Sequence, residues 1–289
     1  MKITEKMKFE FPPTLAVALR MQANQKTRGK LLAGGTDLMV QWASGVTPPN
    51  RIISIWGLPE LNLIEISRSE VLIGAGVTHA RMARSPELKR HLPALTAAAA
   101  TVGATQIQTR GTLGGNAANA SPAGDTAPAL LVTGGWAVLA SLAGVREVPL
   151  TEFWTGYRQI AARPDEIILA FRLPKKNKAR ERFRKIGARQ AQAISKVMCA
   201  SRMLMDDGRI VSAAIAVGSV APTPIRLSAV EEYLAGKKLA NPVIAKAEAL
   251  ARAVEPISDI RSTADYRRWA TGRLVRDALE ALKTKSRST

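Results

Sequence analysis

One cysteine, Cys199, and two histidines, His79 and His91, are all that a chain of 289 residues supplies in soft metal ligands. A lone thiol excludes an intrachain disulfide, and it excludes an iron–sulfur cluster, which needs about four ligands. Two histidines are too few for a histidine-rich metal centre. They also leave little room for a Ser-His-Asp hydrolase, and no G-x-S-x-G element is present. Both are expected to be surface or hydrogen-bonded loop residues, whereas Cys199 in SKVMCASRM reads as part of a buried strand. Aromatic residues make up only 4% of the chain. With no stacking motif and no zinc finger, that argues against nucleic-acid binding. No run of eighteen apolar residues occurs, so no membrane-spanning helix is expected. The opening MKITEKMKFEFPPTL lacks the apolar core and cleavage site of a signal peptide, which makes the cytoplasm the expected compartment.

What the chain has in excess is positive charge, +19 overall. The excess is uneven. Residues 1–174 hold 18 Lys/Arg against 12 Asp/Glu, and residues 175–289 hold 24 against 11. Such a surplus can steer an anionic partner, whether nucleic acid, an acidic protein face or a nucleotide. At 46% hydrophobic residues the chain can bury a large core and is expected to divide into two domains.

The patterning is that of an α+β protein. PTLAVALRMQAN suits a short amphipathic helix. KLLAGGTDLMVQWASG reads as a brief strand, a double glycine, then Thr36 as a helix cap. RIISI, LNLIEI and EVLIGAG read as short strands. SPELKRHLPALTAAAATVG reads as one helix, capped by Ser85 and stopped by Gly103. APALLVTGGWAVLAS and EIILAFRLP carry strand-like runs. The basic stretch KKNKARER then marks a boundary, with domains expected at 1–176 and 177–289. Beyond it, KVMCASRMLM and RIVSAAIAVGSV form a hairpin through DDGR. Three helical segments follow, at 228–236, 242–254 and 263–283, and the tail from Thr284 is expected to be disordered.

Two segments share a logic: Ala33-Gly34-Gly35-Thr36-Asp37 and Thr112-Leu113-Gly114-Gly115-Asn116. Each is expected to set a double glycine at the end of an apolar strand with a hydroxyl beside it. Paired glycines let backbone N–H groups approach a ligand with no Cβ in the way. Successive N–H groups form an anion-binding concavity suited to a pyrophosphate. After the second pair comes a bare run of small residues whose single charge is Asp125. Neither the Rossmann fingerprint nor the P-loop is present: GAGVTH puts His79 where the third glycine should stand, and neither Gly-Lys pair precedes Ser or Thr.

LLAGGTDL, IGAGVTHARM, QTRGTLGGNAANASPAGDTAPALL and DIRSTADYRR together resemble the FAD-binding (medium) subunit of the molybdenum hydroxylases, a group that includes carbon monoxide dehydrogenase and xanthine dehydrogenase. The resemblance runs from about Phe11 to Leu282. It implies an FAD-binding domain of the p-cresol methylhydroxylase type, followed by a smaller α+β domain of the carbon monoxide dehydrogenase flavoprotein type. It implies that Leu31, Leu32, Ala33, Gly34, Gly35, Thr36, Asp37 and Leu38 form a first pyrophosphate loop. Thr112, Leu113, Gly114, Gly115 and Asn116 would form a second. Ser121 and Asp125, in ASPAGD, would meet polar groups of FAD. Val102, Gly103 and Ile168 would lie near the flavin ring, and Lys185 beside it would place a positive charge against the reduced, anionic flavin.

As partners the resemblance implies a molybdopterin-binding large subunit and a small subunit with [2Fe–2S] clusters. The electron acceptor stays open, and an NAD-reducing role does not carry over, because Val102 stands where animal xanthine dehydrogenases have an aromatic residue. Two other readings remain: a basic nucleic-acid-binding protein, and an assembly subunit that has lost FAD.

Overall fold

A computed structural model describes residues 7–189 and 192–283; the tail from Thr284 lies outside them. The chain opens with β1 (Lys8–Glu10), α1 (Leu15–Ala23), β2 (Lys30–Leu32), α2 (Leu38–Ala43) and β3 (Arg51–Ser54). Strands β4 (Ile64–Ile66) and β5 (Glu70–Gly74) come next. A run of short helices follows: α3 (His79–Arg84), α4 (Pro86–His91), α5 (Pro93–Ala99), α6 (Thr105–Arg110), α7 (Leu113–Asn119) and α8 (Thr126–Leu131). Then come β6 (Trp136–Ser141), β7 (Gly144–Pro149), α9 (Leu150–Phe153), the small hairpin β8 (Trp154–Gly156) and β9 (Gln159–Ile160), and β10 (Ile167–Pro174). The remainder is β11 (Arg180–Ile186), β12 (Val197–Asp206), β13 (Arg209–Gly218), β14 (Ile225–Arg226), α10 (Ser228–Leu234), α11 (Asn241–Ala251) and α12 (Ala264–Lys283).

Among the described residues these strands form three larger sheets beside the β8–β9 hairpin. The first is parallel, in the order β1-β3-β2; the second is antiparallel, β4-β5-β10-β6-β7; the third is antiparallel, β11-β12-β13-β14. Helices α5 and α8 lie between the second and third sheets, and α10, α11 and α12 cover the far face of the third. The two-residue alternation of a strand makes this possible. Along β12, Met198 and Ala200 join the core shared with α5 and α8, while Val197, Cys199 and Met203 join the core under the last three helices. Burial pushes the Cys199 thiol up to about 12, which leaves it inert as a nucleophile.

Several elements form where the local pattern points. Thr14 and Ser85 cap α1 and α4 through their hydroxyls. Asp207 and Gly208, both with positive φ, make the tight turn between β12 and β13. Others depart from the sequence reading. The long helix expected at 85–103 is broken into α4 and α5 at Leu92, because the residue before Pro93 is pushed out of the helical region. APALL is the helix α8 rather than a strand, and all six of its residues are buried between two sheets. Thr36 does not cap α2; Asp37 holds the cap position, without a side-chain cap bond. The basic stretch after Pro174 is not only a connection, since β11 begins within it at Arg180. There Glu181 forms a buried pair with Arg202 at 2.8 Å, and Arg202 also donates to the carbonyls of Thr133 and Pro174.

Candidate functional site

The first glycine loop leaves β2 and enters α2. Leu31 and Leu32 are the half-buried end of β2, and the Leu32 carbonyl accepts from Ile55 N–H at 2.9 Å. Gly35 has φ +74, a conformation that disfavours any residue with a Cβ. A Cβ on Gly34 would lie 1.8 Å from the Arg110 carbonyl oxygen. Gly34 is therefore bare because the neighbouring segment presses on it. Among the described residues, no hydrogen bond within the chain uses the N–H groups of Gly34, Gly35 or Thr36. Asp37 accepts from Gln41 Nε2, and Leu38 starts α2. Three consecutive unpaired N–H groups in a half-buried loop suit an anion.

The second pair stands differently from the sequence expectation. Gly114 and Gly115 lie not at the end of a strand but in the first turn of α7, because Thr112 caps that helix, its Oγ1 accepting from Gly115 N–H at 3.0 Å. Leu113 N–H donates to the Val77 carbonyl, Gly114 N–H to Ala75, and Asn116 N–H to Thr112. These donors are spent within the chain. A Cβ on Gly114 would meet that of Ala75 at 2.5 Å, so this glycine too serves packing. What the second segment offers outward is the Asn116 amide, whose Oδ1 accepts from Thr126 Oγ1 at 2.6 Å.

The two loops touch. The Arg110 carbonyl faces Gly34, and a Cβ on Gly111 would come 3.4 Å from Thr36 Oγ1 and 3.0 Å from His79 Cδ2. His79 is thus not a surface residue, and although its backbone N–H donates to the Gly111 carbonyl at 3.0 Å, its ring makes no hydrogen bond among the described residues. It is buried, its Nδ1 has no hydrogen-bond partner, and burial lowers its pKa to about 4, so the ring is neutral. His91, by contrast, is half-buried at the end of α4.

Asp125 lies at the start of α8, nearly sealed from solvent. Its Oδ2 is 2.5 Å from Lys185 Nζ, and its Oδ1 accepts from Ser195 Oγ at 2.9 Å. Lys185 Nζ also donates to the Thr101 carbonyl at 3.0 Å, which brings Val102 and Gly103, the latter at φ +55, beside the pair. Burial outweighs the opposing charge of Lys185 and holds the Asp125 carboxyl above the usual range. Ser121 forms the turn before it, accepting from Ala123 and Gly124 N–H. Thr101 and Ser195 carry no sequence signal of their own; only the distances reveal them. Ile168 is buried in the same core as Ala75, Leu113 and Ala117. Among the described residues no group of His, Cys, Asp and Glu could hold a metal ion, and no helix is long and apolar enough to cross a membrane.

Comparison with known proteins shows what the chain as a whole is similar to. Residues 5–176 match the family model of the FAD binding domain in molybdopterin dehydrogenase, and residues 182–282 match the CO dehydrogenase flavoprotein C-terminal domain. The chain is 33% identical to the xanthine dehydrogenase FAD-binding subunit of Escherichia coli O157:H7, over 88% of each protein. It is 29% identical to the carbon monoxide dehydrogenase medium chain of Afipia carboxidovorans, over 96% of each. Among solved structures, carbon monoxide dehydrogenase from Hydrogenophaga pseudoflava superposes with a TM-score of 0.91 at 28% identity, covering 96% of both chains.

Proposed function

The chain belongs to the family of FAD-binding subunits of the molybdopterin dehydrogenases, and from that premise we propose that it is the electron-transfer flavoprotein subunit of a molybdenum hydroxylase complex. In this role it takes electrons from the [2Fe–2S] clusters of a small partner subunit, which a molybdopterin-binding large subunit supplies, and passes them to an external acceptor. The FAD-binding part runs to about residue 176, and the flavoprotein C-terminal part occupies 177–289.

The observation that carries the reading is the run of unpaired N–H groups at Gly34, Gly35 and Thr36, held against Gly111. These three groups are the seat of the pyrophosphate, each hydrogen bond to a charged oxygen contributing about 1.5–3 kcal/mol. Ala33, Asp37 and Leu38 set the path of that loop. Thr112, Leu113, Gly114 and Gly115 act by shaping the adjoining helix turn, while Asn116 supplies a side-chain amide. Bound FAD supplies the redox chemistry, so none of these side chains has to move a proton on substrate. Lys185, with Val102 and Gly103, faces the flavin ring; its charge is partly compensated by Asp125.

The test is the visible spectrum of the purified full chain, with chromatography of any released cofactor. A flavin spectrum with FAD released is expected. Replacing Thr36 by Asp puts a carboxylate beside the three N–H groups and should weaken FAD binding by about tenfold or more, with circular dichroism unchanged. A colourless chain that stays colourless with added FAD and within a co-expressed complex would refute the reading. That outcome would favour the basic nucleic-acid-binding protein or the FAD-free assembly subunit.

A further inference from the structure

DIRSTADYRR carries none of the residues assigned to FAD. It spans the turn before α12 and the start of that helix. Its hydrogen bonds converge on one carboxylate. Asp259 Oδ1 accepts from the backbone N–H groups of Arg261 and Ser262 and, at 2.7 Å, from Arg267 Nη2, while Oδ2 accepts from Arg261 Nη1. Asp259 thereby closes the turn and aims the buried Arg267. The other arm of that guanidinium, Nη1, donates to the Ser219 carbonyl at 2.7 Å.

Ser219 follows β13 and has φ +65, in the left-handed region that a residue with a Cβ rarely adopts. Such a conformation persists where the surroundings over-determine it. Both backbone groups of Ser219 are taken: its carbonyl accepts from Arg267, and its N–H donates to the Pro122 carbonyl at 2.8 Å. The approach is close, since a Cβ on Gly218 would lie 3.2 Å from that same oxygen. Pro122 belongs to ASPAGD, three residues before Asp125. Within the loop the hydrogen bonds are local, Ala123 N–H donating to Ser121 Oγ and Gly124 N–H to the Ser121 carbonyl. The Ser219 bond ties the middle of the loop to the C-terminal part of the chain, as Lys185 and Ser195 tie its end.

We propose that Asp259 and Arg267 are positioning residues for the flavin site, an inference that rests on the flavoprotein reading. They fix Ser219, and Ser219 sets where ASPAGD delivers Asp125 against Lys185. A planar guanidinium can grip a carboxylate and a carbonyl at once from a fixed fork, which the point charge of a lysine cannot.

The test compares Arg267→Met with Leu279→Ala, a variant that opens the core beneath the same helix and leaves the partners of Arg267 in place. FAD affinity, the visible circular dichroism of bound flavin and backbone hydrogen exchange are measured on full chains whose far-UV spectra show them folded. Arg267→Met should bind FAD about tenfold or more weakly, alter the flavin dichroism, and speed exchange at the Ser219 and Gly124 amides. Leu279→Ala should lower the melting temperature and change neither FAD affinity nor flavin dichroism. The double variant Asp259→Asn/Arg267→Met should lose no more affinity than Arg267→Met, because both residues act through one carbonyl. If Arg267→Met does not fold, Arg267→Lys takes its place with the same expectation. Wild-type affinity and dichroism in the arginine variant overturn the proposal, and so does an equal loss in Leu279→Ala. A wild-type chain that takes up no FAD refutes the flavoprotein reading, and exchange alone then decides: faster exchange at Ser219 and Gly124 sustains the link to ASPAGD, and unchanged exchange overturns it.

Discussion

Lys185 Nζ and Asp125 Oδ2 stand 2.5 Å apart, with at most a tenth of either side chain exposed, and their contact ties strand β11 to the start of helix α8. A buried pair of this kind gains little over an apolar one, but removing one partner strands the other charge. Asp125→Ala is therefore expected to cost about 3–5 kcal/mol in urea unfolding. The double variant Asp125→Leu/Lys185→Met should recover most of that loss. Equal stability of the single variant and wild type would show that the pair contributes nothing to joining these elements.

The same lysine has a second readout in the FAD-loaded chain. If its charge steadies the reduced flavin, Lys185→Met should lower the two-electron potential by about 30 mV or more, one factor of ten in the equilibrium. Spectroelectrochemistry gives the value. A potential that does not move would assign Lys185 to structure alone.

Gly34 and Gly115 look alike in sequence and should respond differently to alanine. At Gly34 the new methyl would overlap the Arg110 carbonyl, backbone that cannot swing aside, and the two loops would have to part. The expected loss exceeds about 4 kcal/mol and takes FAD binding with it. At Gly115 the methyl meets only the Thr112 hydroxyl. There a helix-propensity gain of about 1 kcal/mol offsets a weakened cap of about 1 kcal/mol. Thermal melts and flavin content of the two variants separate these outcomes.

His79 predicts a pH dependence. Its pKa lies near 4 in the folded chain, below its value of 6.5 when solvated. The unfolded state therefore takes up the proton first as pH falls. Stability should be complete above about pH 6.5 and decline toward pH 4, by about 3 kcal/mol at most. His79→Leu should flatten that part of the curve, measured as unfolding free energy against pH. An unchanged slope would show that the ring is not buried.

Much of the fold is legible without coordinates, because its signals are local. The hairpin of β12 and β13 follows from two apolar runs around Asp-Asp-Gly-Arg, and the cap at Ser85 from a hydroxyl before a helical pattern. The break at Pro93 was equally local, but the alanine-rich run beyond it hid the proline's effect on Leu92. APALL resisted reading for another reason: a short apolar run buried on all sides has no period to betray whether it is helix or strand.

By itself the sequence marked the candidates: two double glycines, a lone Asp125 in a bare segment, and Lys185 beside a basic stretch. What it could not determine is how each one is used, because that depends on contacts between residues far apart in the chain. Gly34 and Gly114 are bare because backbone from other segments presses on them. The N–H groups after Thr112 are consumed by Val77, Ala75 and Thr112 itself, while those after Ala33 are left open. The charge of Asp125 is met sixty residues later by Lys185. Hydrogen-bonding capacity is a property of residue type, but whether it is spent or free is settled only when the chain folds back on itself.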